Sequence, residues 1–312
     1  MQNTTRMPTN TLQLKTEESS DFYDVHDNRG CFQQAYNITQ ALFRGCAYFG
    51  ETYYEIIRPP VIHNMHLHPK PSLETKEYCL DELPWNKSQD SAGLCLCLHG
   101  LDATFRQWEK FTQQIPQQFP TVHYLAPTIL HAGNCSLEDA AMPVVKIVKD
   151  YLTKFPGNHL FLIGSSNGAR VASFLEVHLN PQLFQSGASL TVISIGGVHG
   201  GTKMMDIANR VCCDPCFKKH PAVRQELSFN SDSSLQLCSQ LRDKQLQWKV
   251  PVTHIFYTTT EDHLVRPLSS TLPKITEGIY KIISGHTHET LVDAVLPEVI
   301  EWLKMVFHKK VE

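Results

Sequence analysis

The apolar positions follow two regimes that meet near residue 93. From Gly93 onward, short unbroken apolar runs alternate with longer segments of helical period. LCLCLHG reads as a buried strand ending at Gly100. ATFRQWEKFTQQI follows as a helix with Phe105, Trp108, Phe111 and Ile115 on one side. VHYLAP is a second strand, and LEDAAMPVVKIVKDYLTKF a second helix with Pro143 near its start or at a kink. HLFLIG is a third strand and NGARVASFLEVHL a third helix. LTVISIGG, VTHIFYTTT and IYKII are strands four to six, and PEVIEWLKMVF closes the chain as an amphipathic helix. Strands alternating with helices predict a mostly parallel sheet with helices on both faces, an α/β class.

Residues 203–250 break the alternation. The stretch is helical and partly apolar, with no strand signal. An insertion between late strands emerges at the carboxyl ends of the sheet, where ligands of open α/β sheets bind. It is therefore the candidate for a helical cap.

Before residue 93 the pattern weakens. Residues 1–28 are polar and without period, which predicts a loosely attached arm. Residues 30–57 carry apolar and aromatic side chains at mixed helical spacing, as one long helix or two short ones, stopped by Arg58-Pro59-Pro60. Few Arg or Lys lie in that stretch, so packing on the core is favoured over contact with a membrane surface. Residues 61–92 are rich in Pro and His and leave room for a short strand pair. The expected division is an N-terminal extension over 1–90, packed on the core, and an α/β domain over 91–312.

Composition narrows the function classes. Of 312 residues, 42% are apolar and 19% charged, the balance of a packed globular chain. A net charge of −3 gives no pull toward nucleic acid. No run of about 18 apolar residues occurs, so no spanning helix is expected. The first residues lack the apolar core of a secretory signal peptide. A cytoplasmic location follows as the expectation, with export by another route left open. Ten cysteines are then expected to be mostly reduced, several as small buried hydrophobes in strands, such as Cys95 and Cys97. Cys212, Cys213 and Cys216 have only Cys238 and His220 nearby as further ligands, and His63, His66 and His68 read as a polar loop. Neither a metal nor a cofactor is expected.

Four features carry chemistry. Gly164-Ser165-Ser166-Asn167-Gly168 follows a buried strand and opens a helix, the context a nucleophile elbow requires. The turn is tight, and side chains in place of the glycines would strike the neighbouring strand and helix. Ser166 is the candidate nucleophile, and the Asn167 N–H at the helix start points toward a developing oxyanion. Leu98-His99-Gly100-Leu101-Asp102 ends an earlier strand, so Leu101 is placed to supply a second oxyanion N–H. His99 orients that loop and is not read as the base. After the strand HIFYTTT, Asp262 is the candidate acid and Glu261 the fallback. After the last strand stand His286 and His288. His288 is favoured as base, because Leu291 and Val292 anchor its loop ahead of the final helix, and His286 is the alternative. The order Ser, Asp, His is the one this fold class uses.

With these pieces placed, residues 93–202 and 250–305 resemble a lipase or esterase of the α/β-hydrolase superfamily. The likeness rests on LCLCLHGL, HLFLIGSSNGAR, ISIGGVHGGT, FYTTTEDHLV and GHTHETLVD. It implies Ser166 as nucleophile, Asp262 as acid, His288 as base, and a mobile cap for which 203–250 is the candidate. It further implies hydrolysis of a small-molecule or lipid acyl ester without cofactor, with thioester hydrolysis or acyl transfer as alternatives. A non-catalytic binding protein on the same fold would be expected to lack a triad member, and none is missing. Ser165, Asn167 and Val198 stand where lipases often have His, Met or Gln, and Pro.

Overall fold

A computed structural model describes residues 83, 85, 90–211, 219–273, 275 and 277–307. The expected arm over 1–28, the helix over 30–57 with its stop at Arg58-Pro59-Pro60, the His63, His66, His68 run and Cys212, Cys213 and Cys216 lie outside the described residues, as does most of 61–92.

Among the described residues six strands form one sheet: β1 (Gly93–Leu98), β2 (Val122–Leu125), β3 (His159–Ser165), β4 (Ser189–Ile195), β5 (Val252–Thr258) and β6 (Ile279–Ile282). Their order is β2-β1-β3-β4-β5-β6, and every neighbouring pair is parallel. This is the α/β-hydrolase arrangement. Among the described residues the first strand, β1, lies inside the sheet; the chain then steps outward to β2, crosses back to β3 and continues to the opposite edge. The reversal beside β1 and β3 leaves a crevice at their carboxyl ends.

Period-two alternation within each strand builds two cores. Leu94, Leu96, Leu98, Leu160, Leu162, Leu190 and Val192 face one layer. Cys95, Cys97, Phe161, Ile163, Ile193, Ile195, Ile255 and Tyr257 face the other. The first layer is covered by α2 (Leu137–Lys154), α3 (Asn167–His178) and α6 (Asp232–Gln245). The second is covered by α1 (Glu109–Gln118) and α7 (Leu291–Phe307). Leu83 and Trp85 are fully buried, and the Trp85 Nε1–H donates to Asp150 Oδ2 on α2 at 2.7 Å. These two side chains thus belong to the first core layer.

Two expectations change. The closing helix begins at Leu291, not at Pro297. Proline is favoured in a first helical turn, but here Leu291, Val292, Val295, Leu296 and Val299 form one buried stripe. Burying that stripe outweighs the single N–H that Pro297 lacks. The segment 203–250 is also not one cap. Two short helices, α4 (Lys203–Val211) and α5 (Pro221–Glu226), belong to a small separate cluster of Val198, Met205, Val223, Leu227 and Val265. In contrast, α6 places Leu237 and Leu241 in the main core. Adjacent parallel strands need a crossover that covers the sheet, and α6 is that crossover between β4 and β5.

Beneath α6 lies a polar seam. The His254 Nε2–H on β5 meets both carboxylate oxygens of buried Glu176 on α3 at 3.0 Å, and Gln245 Nε2 donates to His254 Nδ1 at 3.3 Å. Arg170, one turn into α3, donates to Ser233 Oγ at 3.3 Å. These groups fix α3 against α6 and β5, and α3 carries the elbow.

Candidate active site

Ser166 sits between β3 and α3 with φ 53° and ψ −121°, a conformation that costs an L-residue on the order of 1–3 kcal/mol. Its N–H donates to Ile195 O of β4 at 3.0 Å, which binds the turn to the neighbouring strand end. The glycines are sterically required. A Cβ at Gly164 would lie 2.5 Å from the Ala169 backbone, and one at Gly168 would lie 2.1 Å from Leu98 O. Asn167 is the first residue of α3, so its N–H belongs to the turn that has no intrahelical acceptor.

The loop after β1 lies against this turn. A Cβ at Gly100 would approach Ser166 Cβ to 3.1 Å and Ser166 Oγ to 3.6 Å. Donors on either side of Leu101 are engaged: Gly100 N–H with Gln107 Oε1 at 2.8 Å, and Asp102 N–H with Ala132 O at 2.8 Å. His99 is fully buried. Its Nδ1–H donates to Gly100 O, and its Nε2 accepts from Ile129 N–H, each at 2.7 Å. Burial pushes its pKa down to about 4, so it is neutral and fixed in one tautomer. It ties the loop to Ile129. Gly133, at φ 78°, follows two left-handed residues, His131 and Ala132. A Cβ there would lie 3.6 Å from Asn167 Nδ2 and 3.7 Å from Leu101 Cα, so this turn walls the same corner.

Of the two histidines after β6, His288 meets Asp262. Its Nδ1 lies 2.7 Å from Asp262 Oδ2, and both side chains are buried. The other carboxylate oxygen, Oδ1, accepts Leu264 N–H and Val265 N–H at 2.8 Å each. An ionised carboxylate has no proton to give, so Nδ1 carries the hydrogen and Nε2 the lone pair. Burial alone would raise the Asp262 pKa, but the His288 ring and the two N–H groups outweigh it and hold the carboxyl below its ordinary value. Burial alone would lower His288, but the Asp262 charge raises it above 6.5, with Glu289 adding to the effect. The ring also stands over the end of β4. A Cβ at Gly196, at φ 54°, would lie 3.2 Å from His288 Nδ1, and Gly196 directly follows the Ile195 carbonyl that holds Ser166.

The other candidates lie elsewhere. Glu261 Oε2 accepts from the Thr259 and Thr260 hydroxyls at 2.6 and 2.9 Å, which draws its pKa to about 2. His286 engages through its carbonyl, which accepts from Thr259 Oγ1 at 2.7 Å. His199, from the ISIGGVHGGT stretch, is buried against Ser194 Oγ at 2.9 Å. Burial, helped by the charge of Arg170, lowers its pKa to about 3.

Three features escaped sequence reasoning. Gln107 bridges the loop after β1 and the elbow, with Nε2 3.3 Å from Ser165 Oγ. Gly196 makes room for the His288 ring. Lys219, ahead of α5, forms a largely buried ion pair with Asp102, next to Leu101. Only Gly196 left a signal, as one of two consecutive glycines at a strand end. Among the described residues no group of three or more His, Cys, Asp or Glu is placed to hold a metal ion, and no helix is long and apolar enough to cross a membrane.

No family model and no curated protein matches the chain. Solved structures similar to it include a hydrolase from Oleispira antarctica, at 15% identity over 74% of this chain and 98% of that one, with a TM-score of 0.46. A carboxylesterase of the thaumarchaeon Nitrososphaera gargenis is similar at 12% identity over 72% of this chain and 93% of that one, with a TM-score of 0.42. The yeast peroxisomal α/β-hydrolase Lpx1 is similar at 14% identity over 70% and 80%, with a TM-score of 0.43.

Proposed function

We propose that the chain is a serine hydrolase of carboxylic esters, with Ser166 as nucleophile, His288 as base and Asp262 as acid. The observation that carries this reading is the Asp262–His288 contact of 2.7 Å at the strand end that also holds Ser166 in its strained turn. In this reading Ser166 Oγ attacks the acyl carbonyl and His288 Nε2 takes its proton. The negative oxygen is held by the Leu101 and Asn167 N–H groups. His288 then protonates the leaving alcohol, and water, activated by the same imidazole, releases the acid. Asp262 keeps the ring in the Nδ1–H tautomer and stabilises the imidazolium. The apolar side chains gathered beside Leu101 support an apolar acyl group, such as that of a lipid or another small ester.

The test is labelling with a fluorophosphonate, followed by identification of the modified residue. Ser166 of the parent chain is expected to be labelled and a Ser166→Ala variant to remain unlabelled; an unlabelled, folded parent rejects the reading. A matched pair of p-nitrophenyl ester and acyl-thioester substrates then separates esterase from thioesterase, with the higher kcat/KM expected for the ester. The pH profile follows from the Asp262 charge. Catalysis needs neutral His288, and its pKa lies above 6.5. The acid limb of kcat/KM is therefore centred above that value and falls as pH is lowered through it. In Asp262→Asn the limb moves to lower pH, and kcat drops roughly ten-thousandfold because the tautomer is no longer held.

A further inference from the structure

We infer that Gln107 is a positioning residue for the oxyanion hole: its side-chain amide sets the distance between the loop that carries Leu101 and the elbow that carries Ser166 and Asn167. This rests on the serine-hydrolase reading.

The two proposed oxyanion donors come from different parts of the chain. Leu101 follows β1, and Asn167 opens α3. Holding one oxyanion with both requires that the two loops keep a fixed separation, to within a few tenths of an ångström. The ladder between β1 and β3 ends at Leu98 and Gly164, so no ladder bond between these two strands reaches Gly100 or Ser165. Gln107 lies in the short helical turn Phe105–Trp108 and reaches both. Its Oε1 accepts the N–H of Gly100, the residue before Leu101, at 2.8 Å. Its Nε2 donates to Oγ of Ser165, the residue before Ser166, at 3.3 Å. The orientation of the amide is not free. A backbone N–H can only donate, so Oε1 must face Gly100 and Nε2 must face Ser165.

The site of the bridge also has little slack. Ser165 is 1% exposed, and a single Cβ at Gly100 would press on Ser166. Trp108, the next residue in the turn, is fully buried against Phe111, so the backbone that presents Gln107 is fixed by the core. One amide therefore couples a rigid turn to the residue preceding each half of the hole. Its hydrogen bonds go to Gly100 and Ser165 and not to the proposed nucleophile or base, so its effect belongs to the transition state.

The experiment uses the full chain and Gln107→Met, which keeps the length of the side chain and removes both hydrogen bonds. Fluorophosphonate labelling of the parent comes first, since an unlabelled parent rejects the hydrolase reading itself. With a p-nitrophenyl ester, kcat of the folded variant is expected to fall about tenfold while KM stays within twofold. Affinity for an alkyl boronic acid, which mimics the tetrahedral intermediate, is expected to fall by the same factor as kcat/KM. The acid limb of the pH profile stays where it is in the parent, because His288 and Asp262 are untouched. If the parent is labelled but kcat/KM of folded Gln107→Met stays within twofold, or boronate affinity is kept while kcat falls, the positioning role is overturned. Should Gln107→Met not fold, Ser165→Ala removes one end of the bridge. A fall of about threefold in both kcat and boronate affinity is then expected, and an unchanged boronate affinity overturns the inference.

Discussion

Ser166 carries its cost in its own backbone. At φ 53° and ψ −121° its Cβ is strained, and glycine adopts such angles freely. Ser166→Ala keeps the Cβ and the strain, whereas Ser166→Gly removes both. Strain relief on the order of 1–3 kcal/mol, less about 0.5–1 for the greater freedom of glycine in the unfolded chain, leaves a gain of about 1 kcal/mol. Urea unfolding should therefore find Ser166→Gly more stable than Ser166→Ala by about that amount. Equal stability would mean that the surrounding backbone relaxes and the turn stores nothing. The strained residue was legible because its neighbours had to be glycine: Gly164 and Gly168 have no room for a Cβ. The choice between His286 and His288 was less legible. Both follow Gly285 in a turn, where strand alternation no longer says which way a side chain points, and only the contact with Asp262 separates them. Gln107 was not legible at all. A glutamine in a polar helical turn is unremarkable in sequence, and its partner Ser165 lies 58 positions away.

Between elements, the contact with most consequence joins the start of α5 to the loop after β1. Lys219 and Asp102 form an ion pair with side chains only 8% and 14% exposed. Burial raises the Asp102 pKa and lowers that of Lys219, even though each partner's charge opposes the shift. Desolvation thus exceeds attraction for both groups. Such a pair costs little to replace as a whole and much to break. Lys219→Met alone leaves a buried carboxylate and should destabilise the chain by about 3 kcal/mol. Asp102→Asn with Lys219→Met should lie within about 1 kcal/mol of the parent, helped by the ease with which Asn takes the left-handed φ of 57° found at Asp102. A double-mutant cycle from denaturant unfolding checks this, and additive losses would show that the pair is solvated after all. Nothing in the one-dimensional pattern connects a lysine at 219 to an aspartate at 102. The start of α7 was hidden differently: Pro297 looks like a helix beginning, and the buried stripe from Leu291 becomes decisive only once β5 and β6 are there to receive it.

Over the whole molecule the alternation of strands and helices was legible because a parallel sheet, buried on both faces, must be written in apolar runs. The division of residues 203–250 was not. Helices that cover a sheet and helices that cover a site have the same period, and only the pairing of β4 with β5 shows that one of them must be a crossover. The two parts should therefore differ in stability. Leu241 on α6 is 2% exposed within the main core, so Leu241→Ala should cost about 2–5 kcal/mol and lower the global unfolding free energy by that amount. Val223 on α5 is equally buried, but in a cluster of five buried residues among the described ones. Val223→Ala removes about 1.5 kcal/mol of burial, and most of it should appear as easier local opening of α4 and α5. Native-state hydrogen exchange distinguishes the two. The amides of α6 should exchange with those of α3 through global unfolding, and Leu241→Ala should speed both sets together. Those of α4 and α5 should exchange earlier, and Val223→Ala should speed them alone. Equal protection across α4, α5 and α6 would make the whole insertion one rigid part of the core.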